Sequence, residues 1–160
     1  RFKGGVGTAS LPMAGANAGI VVGALAVVNA AGAPVVPGRL PGGRTGGKRA
    51  RGDHGPLNTT LCVVATNAVL DPAEAKRTAS SAHAGLARAL DPSHTLVDGD
   101  AVFCLATCAR PLAAEGPADP RLQLQVLAAE AVRLAILDAV ANAEAVETSA
   151  VRLAKYPDLT

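Results

Sequence analysis

Residues 61–67 of the sequence read Leu-Cys-Val-Val-Ala-Thr-Asn, a run rich in valine and bounded by polar residues. This pattern predicts a buried β-strand. Residues 71–74, Asp-Pro-Ala-Glu, then combine a capping carboxylate, a proline suited to the first helical position and an acid where a capping box needs one. Small and apolar residues recur at helical spacing from there to Pro92. The centre of the chain is therefore predicted as a strand followed by an amphipathic helix.

The segments on both sides of this centre extend the pattern. Residues 20–30 are predicted as a buried strand and residues 101–107 as a third strand. A second helix is predicted over residues 119–143, again beginning with an Asp-Pro pair. A glycine-rich segment at residues 3–10 comes first, and a flexible connector rich in Gly, Pro and Arg spans residues 32–57. The order strand, loop, strand, helix, strand, helix predicts an α/β (α+β) fold with helices packed against a sheet.

The composition is that of one globular domain with a core of small residues. Of the 160 residues, 49% are apolar, 18% are charged and 35 are alanine. Only 2% are aromatic, which excludes a platform that stacks single-stranded nucleic acid, and a net charge of +2 predicts no nucleic-acid partner. The longest apolar stretch, residues 20–31, is well short of the roughly twenty residues that a membrane-spanning helix needs. No membrane partner is predicted.

Three cysteines, Cys62, Cys104 and Cys108, lie in apolar, strand-like runs. Their odd number and apolar surroundings predict buried free thiols and a reducing, cytoplasmic location. A zinc site would have to recruit His83 or His94, which stand at no recognised ligand spacing, so neither a metal nor another cofactor is predicted. Both histidines, one on the first helix and one in the loop after it, are interpreted as structural.

The connector contains a near-match to the phosphate-binding P-loop at residues 42–48, Gly-Gly-Arg-Thr-Gly-Gly-Lys. The next residue, Arg49, stands where the motif requires Ser or Thr. Gly52, Gly55 and Pro56 follow closely and exclude the helix whose N-terminus would face a phosphate. The segment is therefore interpreted as a basic, solvated processing loop and not as a nucleotide site.

Asp98 and Asp100 place two carboxylates two residues apart, with Gly99 between them. In an extended segment this spacing puts both carboxylates on one face, and the glycine leaves room for a close approach. Paired carboxylates of this kind are typical of acid–base sites. The same three residues are also common in turns, and the residues alone leave both interpretations open.

Asn58 and Thr59 stand where the connector meets the strand at residues 61–67. The hydroxyl of Thr59 is either an unremarkable feature of a strand end or a nucleophile exposed by cleavage of the chain. In the second case the new α-amine, with an ordinary pKa of about 8, would act as the base for the hydroxyl on the same residue.

Several blocks of sequence occur in one order along nearly the whole chain. They are Lys-Gly-Gly-Val-Gly-Thr-Ala-Ser at residues 3–10, Val-Gly-Ala-Leu-Ala-Val-Val-Asn at 22–29, Asn-Thr-Thr-Leu at 58–61, Ala-His-Ala-Gly-Leu-Ala-Arg-Ala at 82–89, and His-Thr-Leu-Val-Asp-Gly-Asp at 94–100 followed by Val102-Phe103. Together they resemble the self-cleaving aminopeptidases and amidohydrolases of the DmpA type, which include L-aminopeptidase/D-esterases, β-peptidyl aminopeptidases and nylon-oligomer hydrolases.

The resemblance implies an αββα sandwich, with two sheets between helix layers, of the kind shared with ornithine acetyltransferase-like proteins. Family precursors are about twice as long as this chain. The resemblance therefore also implies that residues 1–160 form a single, partial catalytic domain equivalent to the C-terminal half of the family fold.

The resemblance further implies self-cleavage of the peptide bond between Asn58 and Thr59. Residues 1–58 would then be the end of an α-chain that includes the flexible loop 32–57, and residues 59–160 would be a β-chain. The two fragments would have 58 and 102 residues. Thr59 would be the new N-terminus and the nucleophile toward substrate amides.

Four further site residues around Thr59 are implied in the same way. Asp98 and Asp100 would be the acidic pair that positions and tunes the nucleophile and its amine. Lys3 would lie close to Thr59 and either lower the pKa of its amine or steady negative charge. Asn29 would donate to the oxyanion of the tetrahedral intermediate. A threonine nucleophile with two aspartates is most similar to the nylon-oligomer hydrolases.

Three classes of function remain open. The favoured one is an autoprocessing N-terminal-nucleophile amide hydrolase that acts on a peptide or small amide, with its own α- and β-chains as partners and a homotetramer as the expected assembly. An acyltransferase like ornithine acetyltransferase would share the self-cleavage, but its cleavage motif differs from Asn-Thr-Thr. A truncated, non-catalytic homologue would show neither cleavage nor turnover.

Overall fold

The computed structural model describes residues 3–35, 58–114, 119–150 and 152–156. The elements in chain order are β1 (Val6–Pro12), a 3-10 turn (Gly15–Asn17), β2 (Val21–Asn29), β3 (Ala33–Pro34), β4 (Thr59–Ala68), α1 (Pro72–Ala89), β5 (Leu90–Asp91), β6 (Ala101–Arg110), α2 (Pro120–Ala141), β7 (Val146–Glu147) and β8 (Arg152–Leu153). Neither helix in these ranges has the combination of length and apolar character needed to cross a membrane.

The main sheet has the strand order β1-β2-β4-β6. β2 is antiparallel to both of its neighbours, and β6 is parallel to β4, with α1 in the crossover between them. Even-numbered residues of β2 and β4 are buried against the helices, and odd-numbered residues lie on the opposite, open face. This sheet with two helices on one face confirms the predicted α/β class and supplies one helix layer and one sheet layer.

Helix α1 begins where the capping signal predicts. The side chain of Asp71 accepts the N–H of Glu74 at 2.7 Å, and the carboxylate of Glu74 accepts the N–H of Asp71 at 3.0 Å. Arg121, in the first turn of α2, forms an ion pair with the same glutamate. The capping box therefore also ties the starts of the two helices together.

Small residues let the helices and the sheet approach closely. A Cβ at Gly85 of α1 would overlap the carbonyl oxygen of Ala129 of α2 and lie 2.9 Å from the Cβ of Val132. A Cβ at Gly7 of β1 would overlap the backbone of Ala139. The alanine-rich composition thus corresponds to a core whose backbones are close together. The buried alanines of the core are Ala24, Ala26, Ala68, Ala82, Ala89, Ala128, Ala131, Ala135 and Ala139.

Element boundaries differ from the predictions in two places. The glycine-rich segment 3–10, whose pattern predicts no strand, contains most of β1, since its small residues pair with β2 and pack under α2. The first helix ends at Ala89, short of Pro92, because Leu90 pairs with Pro34 in a separate two-stranded sheet. Connector residues 36–57, including the near-P-loop, lie outside the described residues.

The prediction of buried thiols is right for Cys62 alone. All three cysteines are free, but Cys104 is half-buried and Cys108 is exposed. Cys108 lies near the end of β6, an edge strand whose last four residues are all exposed. Its φ of 54° is in the left-handed region.

Helix propensity alone predicts that Gly85→Ala stabilises the protein by about 1 kcal/mol. We expect the opposite sign, because the added methyl overlaps the Ala129 backbone, and overpacking of this kind costs about 1–3 kcal/mol, with the backbone overlap favouring the upper end. Urea denaturation measures the change in the free energy of unfolding. The exposed neighbour Ala84 supplies a control, since Ala84→Gly should lose about 1 kcal/mol through propensity only. A stabilised Gly85→Ala variant would contradict the close helix packing.

Candidate active site

All four strands of the main sheet have one of their ends at the same edge of the sheet, the edge that runs across the strand direction. β1, β4 and β6 begin there and β2 ends there, since β2 runs antiparallel to its neighbours and β6 runs parallel to β4. Lys3 precedes β1, Asn29 ends β2, Thr59 begins β4, and Asp98 and Asp100 come just before β6. The topology therefore brings all five of these predicted site residues to the same edge.

Asn29 and Thr59 are direct cross-strand partners. Directly opposed residues of antiparallel strands point to the same face with Cβ atoms about 5 Å apart. Both belong to the odd-numbered set on the open face of the sheet, whereas Thr60 is buried on the helix side. The pairing puts an amide side chain beside the hydroxyl of Thr59.

The carbonyl oxygen of Asn58 receives two hydrogen bonds. Thr59 Oγ1 donates to it at 2.6 Å, and the backbone N–H of Gly99 donates to it at 2.9 Å. A parallel bridge between Asn58 and Asp98 holds the two segments together here. A Cβ at Gly99 would lie only 3.0 Å from Thr59 Oγ1, so the glycine permits this close approach.

Asp98 and Asp100 accept hydrogen bonds from different neighbours. Asp98 accepts the N–H of Ala31 through Oδ1 at 3.2 Å, and the N–H and hydroxyl of Thr95 through Oδ2 at 3.2 and 2.6 Å. Asp100 accepts the N–H of Thr60 through Oδ1 at 2.8 Å. Asp98 thus ties the residues after β2 to the segment before β6, and Asp100 ties that segment to the start of β4.

The second oxygen of Asp100 contacts His94. Oδ2 lies 3.0 Å from the ring Nδ1 and accepts the backbone N–H of His94 at 3.2 Å. Nε2 of the same ring lies 3.2 Å from Nδ1 of His83 on α1. The interpretation of both histidines as merely structural misses this connection from helix to site. No spacing rule indicates it, because it depends on the loop conformation, including a φ of 53° at His94.

Burial shifts the pKa values of two groups near Asp100 in opposite directions. It lowers the pKa of His83, and the neighbouring His94 lowers that pKa further. It raises the pKa of the Cys62 thiol to about 12, with the charge of Asp100 adding to the effect. Cys62 is therefore a neutral thiol at ordinary pH and a poor nucleophile. Within the described ranges, no three His, Cys, Asp or Glu side chains are grouped to hold a metal ion.

Lys3 lies at the same edge, but its ammonium group does not contact Thr59. Its Nζ donates to the carbonyl of Gly4 at 3.3 Å, and its backbone N–H donates to Ala154 at 2.8 Å. A Cβ at Gly4 would overlap the carbonyl oxygen of Val28, so the backbone here is pressed against β2.

The sequence of this chain is similar to known sequences over most of its length. Residues 1–153 match the sequence profile of Peptidase family S58. An uncharacterized aminopeptidase of Mycobacterium bovis is 40% identical over 163 residues, which covers 89% of this chain and 46% of the relative. An uncharacterized aminopeptidase of Mycobacterium leprae is 41% identical over 123 residues, which covers 66% of this chain and 33% of the relative.

Solved structures share the fold. A β-aminopeptidase of Burkholderia sp. matches with a TM-score of 0.70 and 29% identity, over 96% of this chain and 46% of that one. An L-aminopeptidase D-Ala-esterase/amidase of Ochrobactrum anthropi, described as a variant of the Ntn hydrolase fold, matches with a TM-score of 0.66 and 24% identity, over 98% and 46%. At that identity the second match shows the fold alone.

The fold and these matches define the class as that of the aminopeptidase-like peptidases. The chain belongs to Peptidase family S58. The predicted resemblance to the DmpA-type aminopeptidases is thereby confirmed. The chain matches these relatives over most of its own length, but it spans only about half of theirs.

Proposed function

We propose that this chain carries the nucleophile of an autoprocessing amide hydrolase of the aminopeptidase type, formed by cleavage between Asn58 and Thr59. The observation that carries the proposal is the arrangement around the Asn58 carbonyl. The hydroxyl of Thr59 lies against that carbonyl, and the N–H of Gly99 donates to the same oxygen. Membership of a peptidase family supports the class of reaction.

Self-cleavage begins with attack of Thr59 Oγ1 on the carbonyl carbon of Asn58. The carbonyl oxygen takes up negative charge, and the N–H of Gly99, already bonded to it, stabilises this oxyanion. The C–N bond then breaks, the hydroxyl proton ends on the departing nitrogen, and Asn58 remains as an ester on Thr59. Water hydrolyses the ester and leaves Asn58 with a carboxylate and Thr59 with a free hydroxyl and α-amine.

The freed Thr59 then acts on the substrate. Its α-amine accepts the hydroxyl proton during attack on the substrate carbonyl and returns it to the departing amine, and water hydrolyses the resulting ester. Asn29, the cross-strand partner, is suited to donate to the substrate oxyanion. Lys3 lowers the pKa of the amine or steadies negative charge, for which its side chain has to leave Gly4 and turn toward Thr59.

Asp98 and Asp100 hold the two strand ends that carry these groups. Asp100 accepts the N–H of Thr60 and so keeps the start of β4 in place, while Asp98 accepts hydrogen bonds from the residues that follow β2. Together they maintain the separation between Asn29 and Thr59. In this proposal the aspartates position the nucleophile and do not themselves attack.

A peptide or small amide is the proposed substrate class. One solved relative is named a β-aminopeptidase, and the pairing of Thr59 with two aspartates favours linear amides of the nylon-oligomer type, such as 6-aminohexanoate oligomers. The named relatives are aminopeptidases, which favours hydrolysis over acyl transfer. An acetyl-transfer assay with acetylornithine and glutamate separates these two reactions, and a lack of both cleavage and turnover would indicate the non-catalytic alternative.

The open face of the sheet bears on the assembly. Leu25, Leu61 and Phe103 on this face are 42%, 45% and 58% exposed. Exposed apolar area of this kind marks protein contacts. We propose that fragments 1–58 and 59–160 stay together after cleavage and work within a larger cytoplasmic assembly, a homotetramer. Light scattering of the cleaved protein measures the number of subunits.

Thr59→Ala should abolish both self-cleavage and amide hydrolysis, because it removes the attacking hydroxyl. Thr59→Ser should retain both reactions. Intact mass of the parent chain should show fragments of 58 and 102 residues, the second beginning at Thr59 by N-terminal sequencing. Hydrolysis by the full-length protein is measured as release of p-nitroaniline from aminoacyl p-nitroanilides.

The adjacent threonine supplies a matched control for this experiment. The hydroxyl of Thr60 is buried and has no hydrogen-bond partner among the described residues. Thr60→Val keeps the side-chain shape and the backbone N–H that Asp100 accepts, so its cleavage should proceed at the parental rate. Cleavage or hydrolysis that survives in Thr59→Ala would remove Thr59 from the nucleophile role.

Gly99→Ala tests the oxyanion contact. The added Cβ would crowd Thr59 Oγ1 and displace the N–H from the Asn58 carbonyl, so we expect self-cleavage to slow at least about tenfold. A time course of intact mass measures the rate. Gly23→Ala is the control, since a Cβ there would lie 3.7 Å from its nearest neighbour. Equal cleavage rates in the two variants would count against the role of Gly99.

A further inference from the structure

His94 connects the Thr59 site to helix α1. Both its ring Nδ1, at 3.0 Å, and its backbone N–H, at 3.2 Å, reach the same Oδ2 of Asp100. That carboxylate is only 3% exposed, and its other oxygen accepts the N–H of Thr60. On the far side of the ring, Nε2 lies 3.2 Å from His83 Nδ1. These contacts form one continuous row from the helix to the residue after the nucleophile.

The positions of the protons in this row follow from what each group can donate. A carboxylate only accepts, so Nδ1 of His94 carries the proton that faces Asp100. Between Nε2 of His94 and Nδ1 of His83 only one proton fits. In the uncharged pair it lies on His83, because neutral His94 already carries its proton on Nδ1, and after one proton is added either ring can carry it. The two rings can therefore share one added proton, but a second added proton breaks their 3.2 Å contact.

The backbone at His94 is adapted to this double contact. Its φ of 53° is in the left-handed region, which few residues other than glycine adopt. This conformation is disfavoured and persists where surrounding contacts hold it, here with the ring and the N–H of one residue on a single carboxylate oxygen. Asparagine tolerates the same φ and carries an NH₂ group close to where Nδ1 stands, which makes it the conservative replacement.

We propose that His94 is a positioning residue of the Thr59 site, which holds the Asp100 carboxylate on the N–H of Thr60, and that His83 makes this hold dependent on pH. The effect on a reaction rests on the proposed function given above. The contact itself, and its pH dependence, can be measured without any reaction.

The groups around the two rings determine the direction of the pH dependence. Asp100 faces the His94 ring from the segment before β6, and Cys62 of β4, whose raised pKa keeps it neutral, lies near Asp100. Burial and then His94 lower the pKa of His83 from the ordinary 6.5, and the smaller opposing effect of the Asp100 charge does not reverse that direction. One added proton can be shared and leaves the row of contacts in place, but a second one charges both rings. The two charged rings repel each other, so the hold on Asp100 weakens as the pH falls below 6.5 through the lowered pKa of His83, where the second proton binds.

The backbone amide signal of Thr60 in ¹⁵N-labelled protein tests the hold directly. We use the full chain with Thr59→Ala, which does not self-cleave. From about pH 8 to 5.5, above the ordinary range of carboxylates, the signal should move upfield as the Thr60 hydrogen bond weakens. With His94→Gly added it should stay upfield at every pH. With His94→Asn added it should stay near its parental position at pH 8 and lose the titration.

Two results in this spectrum would overturn the proposal. One is a Thr60 signal in His94→Gly that equals the parental signal across the pH range. The other is a full titration of the Thr60 signal in His94→Asn, which decides the matter even if His94→Gly does not fold. Cys108→Gly is the matched control, because it also replaces a left-handed residue, with φ 54°, but at the opposite end of β6. Its Thr60 signal should match the parent.

The reaction is followed by intact mass in chains that retain Thr59. Near pH 7.5 we expect His94→Gly to cleave about tenfold more slowly than the parent, as for loss of a hydrogen bond to a charged group, while His94→Asn stays within about threefold. The parent should lose rate in acid and His94→Asn should not. An unchanged rate and pH profile in His94→Gly would overturn the positioning role. A parent that never cleaves refutes the proposed function, and the Thr60 signal still decides whether His94 holds Asp100.

Discussion

The parallel pairing of β6 with β4 is the constraint on which the site depends. It starts ahead of both regular strands, with the bridge between Asn58 and Asp98 and the bond from Gly99 N–H to the Asn58 carbonyl. This pairing lays the segment that carries both aspartates across the start of β4, where Asp100 reaches the N–H of Thr60. A threonine at a strand start is an ordinary feature. Here the same pairing also places its hydroxyl, the neighbouring carbonyl and an amide donor at one point.

Elements with a regular hydrophobic pattern are predicted well from the sequence. Elements whose existence or bounds depend on contacts with residues far away in the sequence are not. The strand predicted at residues 20–30 is β2, and the Asp-Pro pairs start both helices as predicted. β1 escapes prediction because glycine and alanine carry little strand preference, although these small residues are what allows α2 to pack on it. The end of α1 escapes because Leu90 pairs with Pro34, a residue far away in the sequence.

The candidate site divides in the same way. Thr59, Asp98 and Asp100 stand out in the sequence through local motifs and family resemblance, and the strand order explains why they share one edge of the sheet. The link from Asp100 through His94 to His83 carries no such signal. It joins a helix face to a loop residue with positive φ, and neither the separation of eleven residues nor the residue types distinguish it from chance. Such a contact becomes visible only when the loop conformation is known.

The register of β4 leaves one polar group, the hydroxyl of Thr60, buried at this edge of the sheet. Successive residues of a strand face opposite sides, so one of two neighbouring threonines has to enter the core. Thr60 enters it, and its hydroxyl has no hydrogen-bond partner among the described residues, a loss of about 1–3 kcal/mol compared with a satisfied group. A slip of one residue would bury Thr59 and expose Thr60. The bond from Thr60 to Asp100 and the pairing of Thr59 with Asn29 both oppose that slip. The buried hydroxyl is therefore a consequence of keeping Thr59 on the open face.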